Sequence, residues 1–183
     1  MKKRILGRTD IGVSELCLGT LNFGWKTNRE TSFAILDHFR SEGGNFIQCN
    51  GVLPQLPDAA TWIALSEIYV GEWLTRRAMP RREIFLATRA SVHPPRGMSG
   101  AEQLRQSCEN SLQRLGVDHV DLLVCHSHSP SVPLDELLLE MTKLVQSGKV
   151  RYFAMERCPL WRVMESIDRA RRKNFCRLEA LQA

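Results

Sequence analysis

Polar residues able to do chemistry recur at the ends of short apolar runs. Gln48 closes the run in NFIQCNGVL, Arg89 follows FLAT in FLATRA, and His126 ends DLLVCH. A fourth run, in VRYFAMER, ends on Glu156 and Arg157. An imidazole in such a place can give or take a proton near neutral pH, although a histidine at a strand end is as often a hydrogen-bonded structural residue. A guanidinium stays charged, with a pKa above about 12, and its rigid fork suits an oxyanion or a phosphate better than proton exchange. The neutral amide of Gln48 accepts a hydrogen bond but supplies no counter-charge. Cys125, His126 and His128 do not add up to a metal site. Strand alternation puts 125 and 126 on opposite faces, no zinc-type spacing is present, and a fourth ligand is missing. Alternation likewise turns Cys49 away from the face of Gln48.

These residues need a frame. Six apolar runs read as strands: Glu15 to Leu18, Asn45 to Cys49, Ile84 to Thr88, Val120 to Cys125, Val150 to Met155 and Leu178 to Leu181. Runs this continuous mark strands covered on both faces, as in a parallel sheet. Helical spacing fills the gaps. In SFAILDHFRSEGG the stripe is Phe33, Ile35, Leu36 and Phe39, stopped by Gly43 and Gly44. In SEIYVGEWLTRRAMP it is Ile68, Tyr69, Trp73 and Leu74, stopped by Pro80. Ser99 and Glu102 form a capping-box pattern for a helix that closes at Gly116, and two further helices start at proline in PLDELLLEMTKLVQSG and PLWRVMESIDRARRKN. Strands about 30 residues apart with a helix in each gap imply successive right-handed βαβ units, hence a barrel or a doubly wound sheet. NGVLPQLPDAAT, the longest irregular stretch, belongs at the strand C-terminal ends, where such folds place their sites.

The 183 residues suit one domain. At 43% apolar and 25% charged, the chain falls with ordinary globular proteins and not with disordered ones. No apolar run approaches the roughly 18 residues of a membrane span, and no apolar block follows the basic start MKKRILGRTD, so a cytoplasmic protein with no membrane partner is expected. The six cysteines are scattered without a CxxC pair, which fits reduced thiols better than a disulfide framework. The net charge of +5 comes largely from arginine pairs at 76/77, 81/82 and 171/172. DRARRKN reads as a solvated helix face, and a nucleic-acid partner is not expected.

In their order along the chain these stretches resemble the aldo-keto reductases. LGRTDIGVSELCLGTLNFG is similar to that family's opening hairpin, first barrel strand and Gly-Thr turn, and SEIYVGEWL to its second helix. SLQRLGVDHVDLLVCH resembles its third helix and fourth strand, and LVQSGKVRYFAM its fourth helix and fifth strand. The likeness runs from about Leu6 to Gln182. It implies a (β/α)8 barrel of the TIM type, a bound NADP(H) and reduction of small carbonyl substrates.

Carried over position by position, the resemblance places the family's catalytic aspartate at Gln48, its tyrosine acid at Leu53, its lysine at Arg89 and its histidine at His126, so only the histidine is retained. The other phenols, Tyr69 on a helix and Tyr152 inside a strand, are expected not to reach the site. For the cofactor, Gly19, Thr20 and Gln182 match family positions, whereas Glu156 and Arg157 replace a Ser-Asn pair that holds the nicotinamide amide. As a salt-bridged pair, Glu156 and Arg157 would crowd the ring's seat.

Ala183 follows the sixth strand, so the resemblance implies one incomplete barrel domain over residues 1–183: a hairpin over about 1–13, βα units 1 to 5 and strand 6, with strands 7 and 8 missing. Two apolar edges would then stay open, inviting self-association. Three readings follow. One is a catalytically impaired NADP-dependent carbonyl oxidoreductase. Another is an oxidoreductase whose proton comes from His126 or Cys49, with Arg89 stabilising the oxyanion. The last is a noncatalytic binding or assembly module using its open edges.

Overall fold

The computed structural model describes residues 1–51, 60–92, 94, 97–126 and 132–182, with the backbone alone for 60–63 and 126. An antiparallel hairpin of β1 (Lys3–Ile5) and β2 (Gly12–Ser14) precedes a parallel sheet. The sheet contains β3 (Cys17–Gly19), β4 (Phe46–Gln48), β5 (Phe85–Ser91), β6 (Val120–His126), β7 (Val150–Glu156) and β8 (Leu178–Gln182), hydrogen-bonded in that order. Helices α1 (Arg29–Ser41), α2 (Ala60–Arg76), α3 (Gly100–Leu115), α4 (Leu134–Gln146) and α5 (Leu160–Lys173) connect them.

Strand order decides between the two sheet topologies left open by periodicity. A doubly wound sheet reverses direction at a switch point, whereas this one runs outward without reversal. All helices therefore fall on one face, and the burial pattern agrees. Ile47, Leu86, Leu123 and Phe153 pack into a core shared with Leu36, Trp73, Leu104 and Met141 of the helices. Their alternating neighbours Phe85, Ala87, Leu122, Val124 and Ala154 form a second, smaller cluster closed by Val13, Leu6 and Ile11 of the hairpin, with no helical residue in it. The sheet thus curls around an inner face plugged at one end, an open arc of a (β/α)8 barrel with β3 and β8 as its outer strands. The plug is latched by Asn45, whose Oδ1 accepts from Ser14 N–H at 2.7 Å and whose Nδ2 donates to Gly12 O at 3.0 Å.

Local signals act as their chemistry predicts. Asn28 caps α1 by accepting from Thr31 N–H, and Ser99 caps α3 by accepting from Glu102 N–H at 3.1 Å. Gly116 ends α3 in the left-handed region at φ 64°. Two boundaries differ from expectation. The helix expected from Ser66 begins at Ala60, because Ala60 to Leu65 join the helical run. The strand expected to stop at Thr88 continues to Ser91, because Arg89 to Ser91 keep pairing with Val124 to His126 of β6. Among the described residues no helix is long and apolar enough to cross a membrane.

Candidate functional site at the mouth of the sheet

Inner-face parity carries upward from the apolar cluster. Two residues beyond Phe46, Ala87, Ala154 and Ala180 stand Gln48, Arg89, Glu156 and Gln182, at the C-terminal ends of four strands. They meet in pairs. Arg89 Nη2 donates to Glu156 Oε1 at 2.6 Å, reaching over β6, with side-chain exposures of only 18% and 5%. Gln48 Nε2 donates to Gln182 Oε1 at 3.0 Å, joining β4 to β8. In a flat sheet these strands would stand about 19 Å apart, so the amide contact measures how strongly the sheet curls.

His126 ends β6 at the register position opposite Glu156 in β7 and Ser91 in β5. Leu53 and His128 lie outside the described residues. Gly19 ends β3 exposed, while Thr20 is fully buried, its hydroxyl within 2.6 Å of Ser66 Oγ and 3.2 Å of Gln48 O. Glu156 and Arg157 do not form the salt-bridged pair that would crowd the ring's seat. Glu156 takes Arg89, and Arg157 is exposed at φ 51°, its N–H donating to Gln182 O at 3.2 Å. Adjacent residues near a strand end point apart, whereas residues two strands away on the same face converge.

Neither described phenol reaches the mouth. Tyr69 lies on α2 with Arg29 Cζ 5.3 Å above its ring, against the helix-side core. Tyr152 sits on the inner face but four residues below Glu156, about 13 Å along the strand. Cys49 and Cys125 are buried in the helix-side core, as alternation predicts, and burial raises both thiols far above the ordinary range. Among the described residues no group of three or more metal-ligating side chains is present.

A second polar layer, not anticipated from sequence, braces the mouth from the helix side. Ser66 and Glu67 of α2 are both fully buried. Ser66 Oγ contacts Thr20 and accepts from Asn50 N–H at 3.4 Å. Glu67 accepts from the Thr88 hydroxyl and from Arg114 Nε at 2.6 Å, while Arg114 Nη2 also donates to Ser111 Oγ at 3.2 Å. Burial pushes the Glu67 carboxyl above its usual value, opposed by the Arg114 charge and by the hydroxyls of Thr88 and Ser111. The signal was one acidic residue in the apolar stretch ALSEIYVG.

The arrangement can hold charge and hydrogen bonds in a fixed pattern. Neither tyrosine stands beside the ion pair.

The Aldo/keto reductase family model matches residues 15–183. Norsolorinic acid reductase B of Aspergillus parasiticus is 35% identical over 179 residues, covering 88% of this chain and 44% of that protein. The uncharacterized oxidoreductase YrpG of Bacillus subtilis is 31% identical over 186 residues, covering 96% of this chain and 55% of its own length. Aryl-alcohol dehydrogenase GME11368 of Pestalotiopsis microspora is 29% identical, covering 94% and 49%. The chain spans about half the length of the curated relatives it matches.

Proposed function

The chain belongs to the aldo/keto reductase family, and from that premise we propose that it is an oxidoreductase-type domain in which carbonyl reduction is strongly impaired. The observation that carries this reading is the Arg89–Glu156 ion pair, 2.6 Å long and largely buried. Reduction of a carbonyl needs an acid poised near the working pH and a cation that lowers that acid's pKa. At the lysine position stands a guanidinium already neutralised by a carboxylate from β7. At the aspartate position stands an amide bonded across the mouth to Gln182. Losing the acid alone removes about 10²- to 10⁴-fold in rate.

The family implies NADP(H), whose nicotinamide would look to Thr20, Glu156, Arg157 and Gln182 for partners. These residues do not fit it well. Thr20 is engaged by Ser66, Glu156 by Arg89 and Gln182 by Gln48, and Arg157 is exposed. Incubating the chain with NADPH and a set of reactive aldehydes is expected to consume no cofactor above background. Turnover at about 1 s⁻¹ or faster would refute the reading.

A noncatalytic binding module is the second reading. It is favoured by the mouth itself, where Arg89 is held by Glu156 and Gln48 by Gln182.

A further inference from the structure

We propose that a cavity at the N-terminal pole of the sheet binds a phosphate group, free or carried by a small molecule, through Lys3, Arg82 and Arg151. The inference goes beyond the reading of the mouth, because the two places lie at opposite ends of the strands. Arg151 stands near the start of β7 and Glu156 at its end, about 17 Å away.

The cavity, of 390 Å³, lies where the hairpin meets the starts of the strands. Its walls are the hairpin, the end of α1 with Asn45, the turn before β5, and the first residues of β6 and β7. The strands that contribute, β5, β6 and β7, are each hydrogen-bonded on both sides, so no edge of the sheet takes part. Ile84 and Phe85, 2% and 3% exposed, line its inner side with Asn45. That side is fixed in place: Phe85 N–H donates to Asn45 O at 2.7 Å, and Asn45 Nδ2 donates to Gly12 O at 3.0 Å.

Four cations and three carboxylates face this space, and two of the carboxylates are already satisfied. Asp121, 2% exposed, accepts from Arg81 Nη2 at 2.6 Å and Leu86 N–H at 2.9 Å through Oδ2, and from Arg151 Nη1 at 3.0 Å through Oδ1. Arg81 does not line the cavity and balances Asp121 from behind, which leaves the charge of Arg151 in surplus. One tip of the Arg151 fork is anchored, and its other nitrogens have no bond among the described residues. Glu83 is taken by Arg40. Lys3 and Arg82 are exposed and have no carboxylate partner among the described residues, and Asp10 on the hairpin turn takes no cation among them.

The N-terminal face of a (β/α)8 fold ordinarily serves stability, and the Arg81–Asp121 and Arg40–Glu83 pairs account for that here. Lys3, Arg82 and the free half of Arg151 are not explained by it. Three unneutralised cations on one cavity repel each other, a cost that a bound anion removes. Their origin on three elements selects the anion. A carboxylate offers two oxygens in one plane and is satisfied by a single guanidinium fork, whereas a phosphate presents acceptors in three directions. A nucleic-acid strand needs a continuous cationic track, and Asp10 and Glu83 interrupt one here.

The test follows the amide NMR signals of the isotopically labelled full chain as inorganic phosphate replaces chloride at constant ionic strength. Saturable shifts are expected at Gly12, Arg82 and Arg151, and none at Arg89 in the mouth. Lys3→Gln combined with Arg82→Gln should weaken binding by about tenfold or more, with unchanged circular dichroism because both side chains are exposed. A parallel titration with glycerol 3-phosphate separates the sources. Tighter binding than inorganic phosphate assigns a monoester, equal or weaker binding assigns the free ion, and each supports the site. Shifts that grow without saturating, an affinity indifferent to the double substitution, or acetate binding as tightly as phosphate would overturn the proposal. So would equal shifts at Arg171 and Arg177, since phosphate would then be visiting exposed arginines at large.

Discussion

Arg89 on β5 and Glu156 on β7 share an ion pair that reaches over an intervening strand, with 18% and 5% of their side chains exposed. Removing one member leaves a desolvated charge, which typically costs more than the pair contributes. Glu156→Gln is therefore expected to lower stability by about 3 kcal/mol in urea unfolding, and Arg89→Met combined with Glu156→Leu to recover most of that loss. A double variant no more stable than the single would mean that the pair is solvated.

The Gln48–Gln182 contact tests the curl of the sheet in solution. Each of Gln48→Ala and Gln182→Ala should cost about 1 kcal/mol, and the double variant should cost clearly less than the sum, since both remove one hydrogen bond. Strict additivity would place these amides apart and the sheet flatter than described.

Much of this architecture is readable along the chain, because strands covered on both faces become continuous apolar runs. VDLLVC and VRYFAM announce β6 and β7 with no ambiguity of period. The last residues of β5 are hidden, since Arg89 and Ser91 look like a loop until their partners on β6 are known. The mouth is readable as positions and not as pairings. Gln48, Arg89, His126, Glu156 and Gln182 all stand at strand ends, but which side chains meet depends on curvature. Arg157 stands next to Glu156 in the chain, yet the curled sheet supplies Arg89 as its partner. Ser66 and Glu67 escape notice because their partners Thr20, Thr88 and Arg114 come from three separate parts of the chain.

Glu67 gives a prediction in pH. Its folded-state pKa is raised by burial, so the folded chain holds this proton to higher pH than the unfolded chain does. With more protons bound in the folded state, the slope of unfolding free energy against pH is negative for this group. Its contribution to stability is full below the ordinary glutamate value near 4.3 and is lost as pH rises through the raised pKa. Asp37, held low mainly by its hydrogen bond from Arg77, acts in the opposite sense, with its contribution lost as pH falls. Carbon-detected NMR should find the Glu67 carboxyl titrating above the exposed glutamates, and higher still in Arg114→Met. A midpoint among the exposed glutamates would contradict the burial described here.

The mouth also depends on a residue without a side chain. A β-carbon built on Gly51 would lie 2.1 Å from the carbonyl oxygen of Arg89 and 3.3 Å from Ser111 Oγ. Neither neighbour can yield easily, since the first is backbone of a central strand and the second belongs to the Glu67 network. Gly51→Ala should thus cost about 3 kcal/mol and, by pushing β5 aside, loosen the Arg89–Glu156 pair as well. Gly19 is the internal control, since a β-carbon there meets nothing within 4 Å. Gly19→Ala should change stability by no more than about 0.5 kcal/mol. Unfolding curves for the two variants settle the matter: equal midpoints would show that β4 and β5 do not approach each other at the mouth as closely as this contact requires.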